Sequence, residues 1–200
     1  MTTLAQPPGP ADLQVVAAAV TDPLVEPLLR ELGHEYTTRY GSQAHQELAR
    51  YPDEEFTPAR GGALLLLLED GAPVAGGAFR RYDAVTAELK RIWTHSGHRR
   101  RGLARRVVAE LEREAAARGY RRVYLTTGPR QPEARGLYLA TGYTPLFDTA
   151  ADPETIGPLP FEKHLRPAAA PAPPARRGPA HHNPPPAPPP ARVPERPPHP

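Results

Sequence analysis

Thr86-Ala87-Glu88-Leu89-Lys90-Arg91-Ile92-Trp93-Thr94-His95, followed by Arg99-Arg100-Arg101-Gly102-Leu103-Ala104, is the stretch on which the fold turns. The first segment is β-like. After the basic turn, apolar residues recur at Leu103, Val107, Val108 and Leu111, while Glu110, Glu112, Arg113 and Glu114 take the other side. That is helical spacing, and Gly119 suits the position just past the helix end. A second β-like segment, Arg122-Val123-Tyr124-Leu125-Thr126-Thr127, follows. Strand, glycine-containing turn, helix and strand make a βαβ unit with a parallel, right-handed pairing.

The junction of turn and helix is where chemistry is expected. The first amides of a helix have no intrahelical acceptor, and the aligned peptide dipoles leave partial positive charge there. Phosphate binds such an end readily, above all where a glycine lets it approach the backbone. Gly102 supplies that approach, Ala104 is the next smallest residue, and Arg99, Arg100, Arg101, Arg105 and Arg106 surround them with positive charge. The arginine fork can donate two parallel hydrogen bonds to phosphate. A di- or polyphosphate ligand is the sharp reading; a solvated basic face or a nucleic-acid patch is the bland one. No Lys-Ser/Thr pair follows the glycine, so the turn is not a P-loop, and a single glycine does not make the dinucleotide fingerprint.

Two motifs in order make the reading specific. Arg99-x-x-Gly102-x-Ala104 resembles the [Q/R]-x-x-G-x-[G/A] signature of the GNAT superfamily of acyl-CoA-dependent N-acetyltransferases. Gln131-x-x-Ala134-x-x-Leu137-Tyr138-x-x-x-Gly142-Tyr143 is similar to that superfamily's N-x-x-A-x-x-L-Y-x-x-x-G-[F/Y] helix, with Gln131 standing where the family usually has Asn. The resemblance implies an α+β (mixed α/β) GNAT fold: a mostly antiparallel sheet with one splayed parallel pair and helices on both faces. It implies acetyl-CoA as co-substrate, bound by residues 99–105, by the backbone of Ile92, Trp93 and Thr94, including Leu103 at the helix start, and by Gln131. An amine acceptor and a monomer or homodimer are the expected partners.

Size and composition agree with a domain at 1–166 and a Pro/Ala/Arg-rich tail at 167–200 that is expected to be disordered. The chain of 200 residues has no cysteine, which excludes disulfides, a thiol nucleophile and Cys-based zinc sites. Scattered histidines give no metal-ligand spacing, so no metal is expected. Residues 1–10 lack a basic segment followed by an apolar core, and the apolar run 63–68 is far short of the ~20 residues that span a bilayer. A cytoplasmic protein, with no membrane role, is the expectation. The net charge of +3 equals the excess of Arg176, Arg177, Arg192 and Arg196 over Glu195 in the tail. A near-neutral body argues against a general nucleic-acid binder, and heavy Arg, Ala, Pro and Gly usage suggests a G+C-rich bacterial source.

Elsewhere, residues 13–20 read as a first strand. Asp22-Pro23 reads as the start of a helix reaching Tyr40, with Gly41 ending it. Leu24, Leu28, Leu29, Leu32 and Tyr36 form its apolar stripe, and Glu26, Glu31 and Glu35 read as a solvated acidic face, the alternative being that one carboxylate reaches the acceptor site and attracts a cationic amine. A weaker helix is expected over 42–50, strands over 63–68 and 73–82, with Gly76-Gly77 allowing a bulge, and two closing strands near 143–147 and 160–165. The loop 51–61 and the N-terminal helices should form the acceptor surface, where Asp53, Glu54 and Glu55 permit a cationic acceptor.

An alkylammonium titrates near pH ~10.4, so acetyl transfer at neutral pH needs a base. The resemblance gives that role to Glu88; a plain strand salt bridge with Lys90 or Arg91 is the alternative. It gives Tyr138 the role of acid, or hydrogen-bond donor, to the departing CoA sulfur, with helix packing as the alternative. The implied function is acetyl transfer to a primary amine of a small molecule or amino acid by direct attack in a ternary complex. A protein or peptide acetyltransferase, a non-catalytic acyl-CoA sensor and a tail-centred interaction protein stay open.

Overall fold

The computed structural model describes residues 13–41 and 50–166. The tail expected at 167–200, residues 1–10 and nearly all of the weaker helix expected over 42–50 lie outside the described residues. Seven strands form one sheet in the order β1-β2-β3-β4-β5-β7-β6. They are β1 (Gln14–Ala17), β2 (Ala63–Glu69), β3 (Ala72–Arg81), β4 (Thr86–Thr94), β5 (Arg122–Thr127), β6 (Thr144–Pro145) and β7 (Leu159–His164). All neighbours are antiparallel except β4 and β5. Among the described residues four α-helices accompany them: α1 (Glu26–Tyr40), α2 (Leu103–Ala117), α3 (Pro132–Ala140) and the short α4 (Pro153–Ile156).

β2 is buried at six consecutive positions because both of its faces are covered. Leu64, Leu66 and Leu68 pack with Leu28, Leu32 and Trp93 on the α1 side. Ala63, Leu65 and Leu67 pack with Val107, Val108 and Leu111 on the α2 side. A strand covered on both sides loses the polar alternation that marks a half-exposed one. Burying a Leu or Val stabilises by about 1.5–3 kcal/mol, so these two layers supply most of the hydrophobic stabilisation.

The start of α1 differs in detail from the expectation. Asp22 does act as a cap, its Oδ1 accepting from Leu24 N at 2.9 Å. What it caps is a 3-10 turn, Pro23–Val25, that leads into the α-helix at Glu26. Of the closing strands, β7 falls at the expected place, whereas β6 is only Thr144–Pro145 and pairs with β7, not β5. The proline in β6 offers no amide, which suits it to the sheet edge.

Two irregularities shape the middle of the sheet. Opposite Gly77, β4 carries both Arg91 and Ile92, and Arg91 has a positive φ of 58°. A Cβ on Gly77 would lie 2.6 Å from Ile92 Cδ1, so the glycine makes room for the side chain that the bulge throws inward. The parallel pairing of β4 with β5 is limited to Thr86↔Arg122, Ala87↔Val123 and Glu88↔Tyr124. Beyond Glu88 the two strands part, and from residue 89 onward no strand among the described residues pairs with β4 on its β5 side.

Candidate active site

The opening between the parted strands is a cleft of about 1040 Å³. One end is the basic turn. Gly102 takes the left-handed conformation with φ 77°, which any other residue adopts at a cost of about 1–2 kcal/mol. Its missing side chain faces open space, with no protein atom within 4 Å of where a Cβ would stand. The first backbone bond of α2 runs from Arg106 N to Gly102 O at 3.2 Å, so the amides of Leu103, Ala104 and Arg105 lack intrahelical acceptors. Arg99, Arg100, Gly102, Leu103, Ala104 and Arg105 all line the cleft.

Arg101 does not share that orientation. Its guanidinium pairs with Glu69 at 2.5 Å and meets His98 Nδ1 at 2.6 Å, away from the cleft. Arg106 pairs with Glu110 at 2.6 Å along the helix. The turn therefore offers the cleft Arg99, Arg100 and Arg105 together with the backbone, rather than five arginines.

Along the parted edge of β4, Ile92, Trp93 and Thr94 line the cleft. Trp93 Nε1 donates to Glu31 Oε2 at 3.0 Å, and Ser96 N donates to the same oxygen at 2.9 Å. Burial alone would raise the Glu31 carboxyl, but the bonds from Trp93 and Ser96 outweigh it and hold the group below its ordinary range. The Thr94 hydroxyl is buried at the cleft without a hydrogen-bond partner among the described residues.

Tyr138, on α3, lines the cleft, 5% exposed and in ring contact with Tyr143 and Phe161. Burial, with a smaller contribution from Tyr36, pushes its phenol well above the ordinary value, so it stays protonated across the usual pH range. Gln131 stands at the N-cap of α3, but its amide is engaged locally: Oε1 accepts from Thr127 Oγ1 at 3.1 Å and Gly128 N at 3.0 Å. Its Nε2 reaches Glu35 Oε1 at 3.4 Å.

The far end of the cleft contains Glu88, 3% exposed. It stands opposite Arg80 in the β3–β4 register, and Arg80 Nε donates to its Oε2 at 2.7 Å. Lys90 Nζ lies 3.0 Å from its Oε1. Of the two expected strand partners, Lys90 is present, whereas Arg91 turns to Asp53 at 3.4 Å and lies over the Phe56 ring at 4.2 Å. Arg80 was not legible as a partner, because the pairing depends on a register that the sequence does not display. Tyr51, Tyr82 and Tyr124 complete this end.

Of the acidic residues of α1, Glu26 is solvated and pairs with Arg30 on the surface, whereas Glu31 and Glu35 are engaged. Glu31 ties the helix to the end of β4, and Glu35 pairs with Arg39 at 3.3 Å and Arg99 at 3.2 Å. The C-terminus of α1 also clasps the loop before α3. Arg39 pairs with Glu133 at 3.1 Å and bonds to the Arg130 carbonyl, and Tyr40 Oη accepts from Arg130 N at 3.0 Å. A Cβ on Gly128 would fall 2.0 Å from the Tyr40 hydroxyl, so only glycine permits that contact.

A mixed sheet with one parted parallel pair, a glycine turn feeding a helix beside it, and a tyrosine between the two defines a class. The family model of the acetyltransferase (GNAT) family matches residues 26–143, and the chain belongs to that family. A Bacillus subtilis (strain 168) protein, the uncharacterized N-acetyltransferase YsnE, is 34% identical over 93 residues, 44% of this chain. That match spans 62% of the Bacillus protein's length. Among solved structures, the Streptococcus agalactiae acetyltransferase aligns at TM-score 0.60 and 20% identity, covering 76% of this chain and 98% of that one. The Thermoplasma acidophilum PaiA N-acetyltransferase, solved with coenzyme A, aligns at 0.59 and 16% identity over 76% and 99%. The Elizabethkingia anophelis GNAT acetyltransferase, solved with acetyl-CoA bound, aligns at 0.55 and 14% identity over 76% and 98%. At these identities the likeness is one of fold. No helix among the described residues is long and apolar enough to cross a membrane.

Proposed function

We propose that the chain is an N-acetyltransferase that moves an acetyl group from acetyl-CoA to a primary amine of a small molecule or amino acid. Transfer is by direct attack in a ternary complex. The observation that carries this reading is the parting of β4 from β5 after Glu88, which opens a cleft from the basic turn to the Glu88 end. Family membership and two fold relatives solved with acetyl-CoA or coenzyme A support the choice of ligand.

In this reading the diphosphate lies on the amides of Leu103, Ala104 and Arg105, with Arg99, Arg100 and Arg105 around it. The pantetheine arm follows the unpaired edge of β4, past Gln131 and the unpartnered Thr94 hydroxyl. The thioester oxygen accepts from a backbone N–H near Ile92-Trp93-Thr94; a fixed donor of this kind is worth about 3 kcal/mol where charge develops. The amine nitrogen forms a bond to the acetyl carbon, the C–S bond breaks, and the amine proton passes through water to Glu88. Tyr138 donates to the departing sulfur; as a protonated phenol it has a proton to give.

The test is thiol release from acetyl-CoA across a panel of amines, with wild type and Tyr138→Phe. Wild type should release CoA with at least one amine. The variant should lose about ten- to a hundredfold in kcat while its acetyl-CoA Kd stays within about twofold. An unchanged kcat would remove Tyr138 from the mechanism; acetyl-CoA binding without thiol release on any amine would favour a sensor.

A further inference from the structure

The acceptor end of the cleft has a charge pattern that the cofactor motif does not dictate. Four cations line it: Arg50, Arg80, Lys90 and Arg91, with Glu88 as the carboxylate among them. Glu55 and Asp53, which as bare sequence permit a cationic acceptor, are taken up from outside the cleft. Glu55 pairs with Arg80 at 2.9 Å and Asp53 with Arg91 at 3.4 Å. The Tyr51 ring carries three of the cations on its surface, with Arg80 at 4.3 Å, Lys90 at 4.9 Å and Arg50 at 5.7 Å from its centroid.

Donors remain to spare. Arg80 uses Nε on Glu88 and Nη1 on Glu55 and the Arg81 carbonyl, and among the described residues its Nη2 has no acceptor. Lys90 has three ammonium hydrogens, and among the described residues its carboxylate partner is Glu88. These donors flank Glu88 on the same face of β3 and β4, so a group bound by them lies beside the carboxylate that would receive the amine proton. Next to them, Tyr82 is half-exposed and packs on Tyr124 at 5.2 Å, an apolar wall.

We infer that the acceptor is an amine that also carries a carboxylate close to its nitrogen, an amino acid in the simplest case. Its carboxylate is held by Arg80 and Lys90, and its side chain lies against Tyr82 and Tyr124. The inference rests on the acetyl-transfer reading above and narrows it. A polyamine or aminoglycoside would bring further positive charge against these cations without an anion to offset it, and is disfavoured for that reason. Burying a carboxylate beside a fixed guanidinium fork is the situation in which such a charge pair discriminates between ligands.

Matched pairs that differ only in this charge test it: L-phenylalanine against L-phenylalaninamide and L-leucine against L-leucinamide, with spermidine as the cationic comparison. The amide's amine is the less basic and so the more available at neutral pH, which means amine reactivity alone favours the amides. The inference predicts kcat/KM at least tenfold higher for the acid of a pair, and a ratio falling toward one in Arg80→Gln, because both members lose whatever the Glu88 contact supplies and the acid alone loses its carboxylate partner as well. Parity, a preference for the amides or for spermidine, or turnover of none of these amines overturns it. Turnover of the amides or spermidine leaves the acetyl-transfer reading standing and removes only the acceptor assignment; if none is turned over, thermal stabilisation by acetyl-CoA tells the two readings apart, its absence removing the acetyl-transfer reading as well.

Discussion

The two ends of the cleft are built in opposite ways. The phosphate end comes from one contiguous stretch, residues 99–105, whose backbone and charges arrive together once a helix starts at Leu103. The acceptor end is assembled from β3, β4 and β5, whose Arg80, Glu88 and Tyr124 meet through sheet register, and from the segment before Asp53, whose Tyr51 ring packs against Arg80 and Lys90. A site carried by a local turn keeps its chemistry wherever that turn is placed. A site carried by register can change its specificity one residue at a time while the cofactor end stays the same. That difference is a physical reason for a shared cofactor on one fold to accompany different acceptors.

Substitutions at each end sharpen the contrast. Gly102→Glu should have the largest effect. It forces a side chain into the left-handed conformation and places a carboxylate in the open space in front of the free amides, so acetyl-CoA Kd should rise at least about a hundredfold by calorimetry. Glu88→Gln, at the other end, should leave that Kd alone. It should lower kcat by about a hundredfold and flatten the acidic limb of the pH–rate profile; an unaltered limb would assign proton removal to water or another group. Tyr138 adds no alkaline limb below pH ~10, because burial raises its phenol above the ordinary value.

A smaller effect should come from Glu31, which joins α1 to the end of β4 without entering the chemistry. Its hydrogen bonds from Trp93 and Ser96 favour the ionised form in the folded state. A depressed folded-state value contributes stability that is present above the unfolded value near 4.5 and lost as pH falls through the folded one. Glu31→Ala should cost about 2 kcal/mol in urea unfolding at pH 7. It should also make stability between pH 5 and 3 fall less steeply than in wild type. An identical acid slope in the two proteins would deny Glu31 this role.

How far the sequence could be read follows the same division. The βαβ unit, Gly102, Gly119 and Gly142 in left-handed conformations, and the strand at Arg122–Thr127 stand where local spacing puts them. The parting of β4 and β5 was implied only by the family resemblance, and the bulge by Gly76-Gly77 on the neighbouring strand, since nothing in β4 itself marks either. Glu31 and Glu35 stand one turn apart on α1, and that spacing is silent about the Trp93, Ser96 and Arg99 partners that meet them in three dimensions. Arg101 is indistinguishable from its neighbours in a run of three arginines, and only Glu69, on a different strand, turns it away. The clasp of Arg39 and Tyr40 on the loop around Gly128 and Arg130 gave one faint signal, a glycine directly after a strand, with no hint of its partner.

The most direct test of the central claim, that the parted strands and the basic turn form a working acetyl-CoA site, is thermal unfolding of the protein with and without acetyl-CoA. At a ligand concentration a hundredfold above Kd, linkage gives about 2.7 kcal/mol of added stability, which for a domain of this size raises Tm by several degrees. A rise of that order, absent in Gly102→Glu, is the expected result. An unchanged Tm at millimolar acetyl-CoA would contradict the claim.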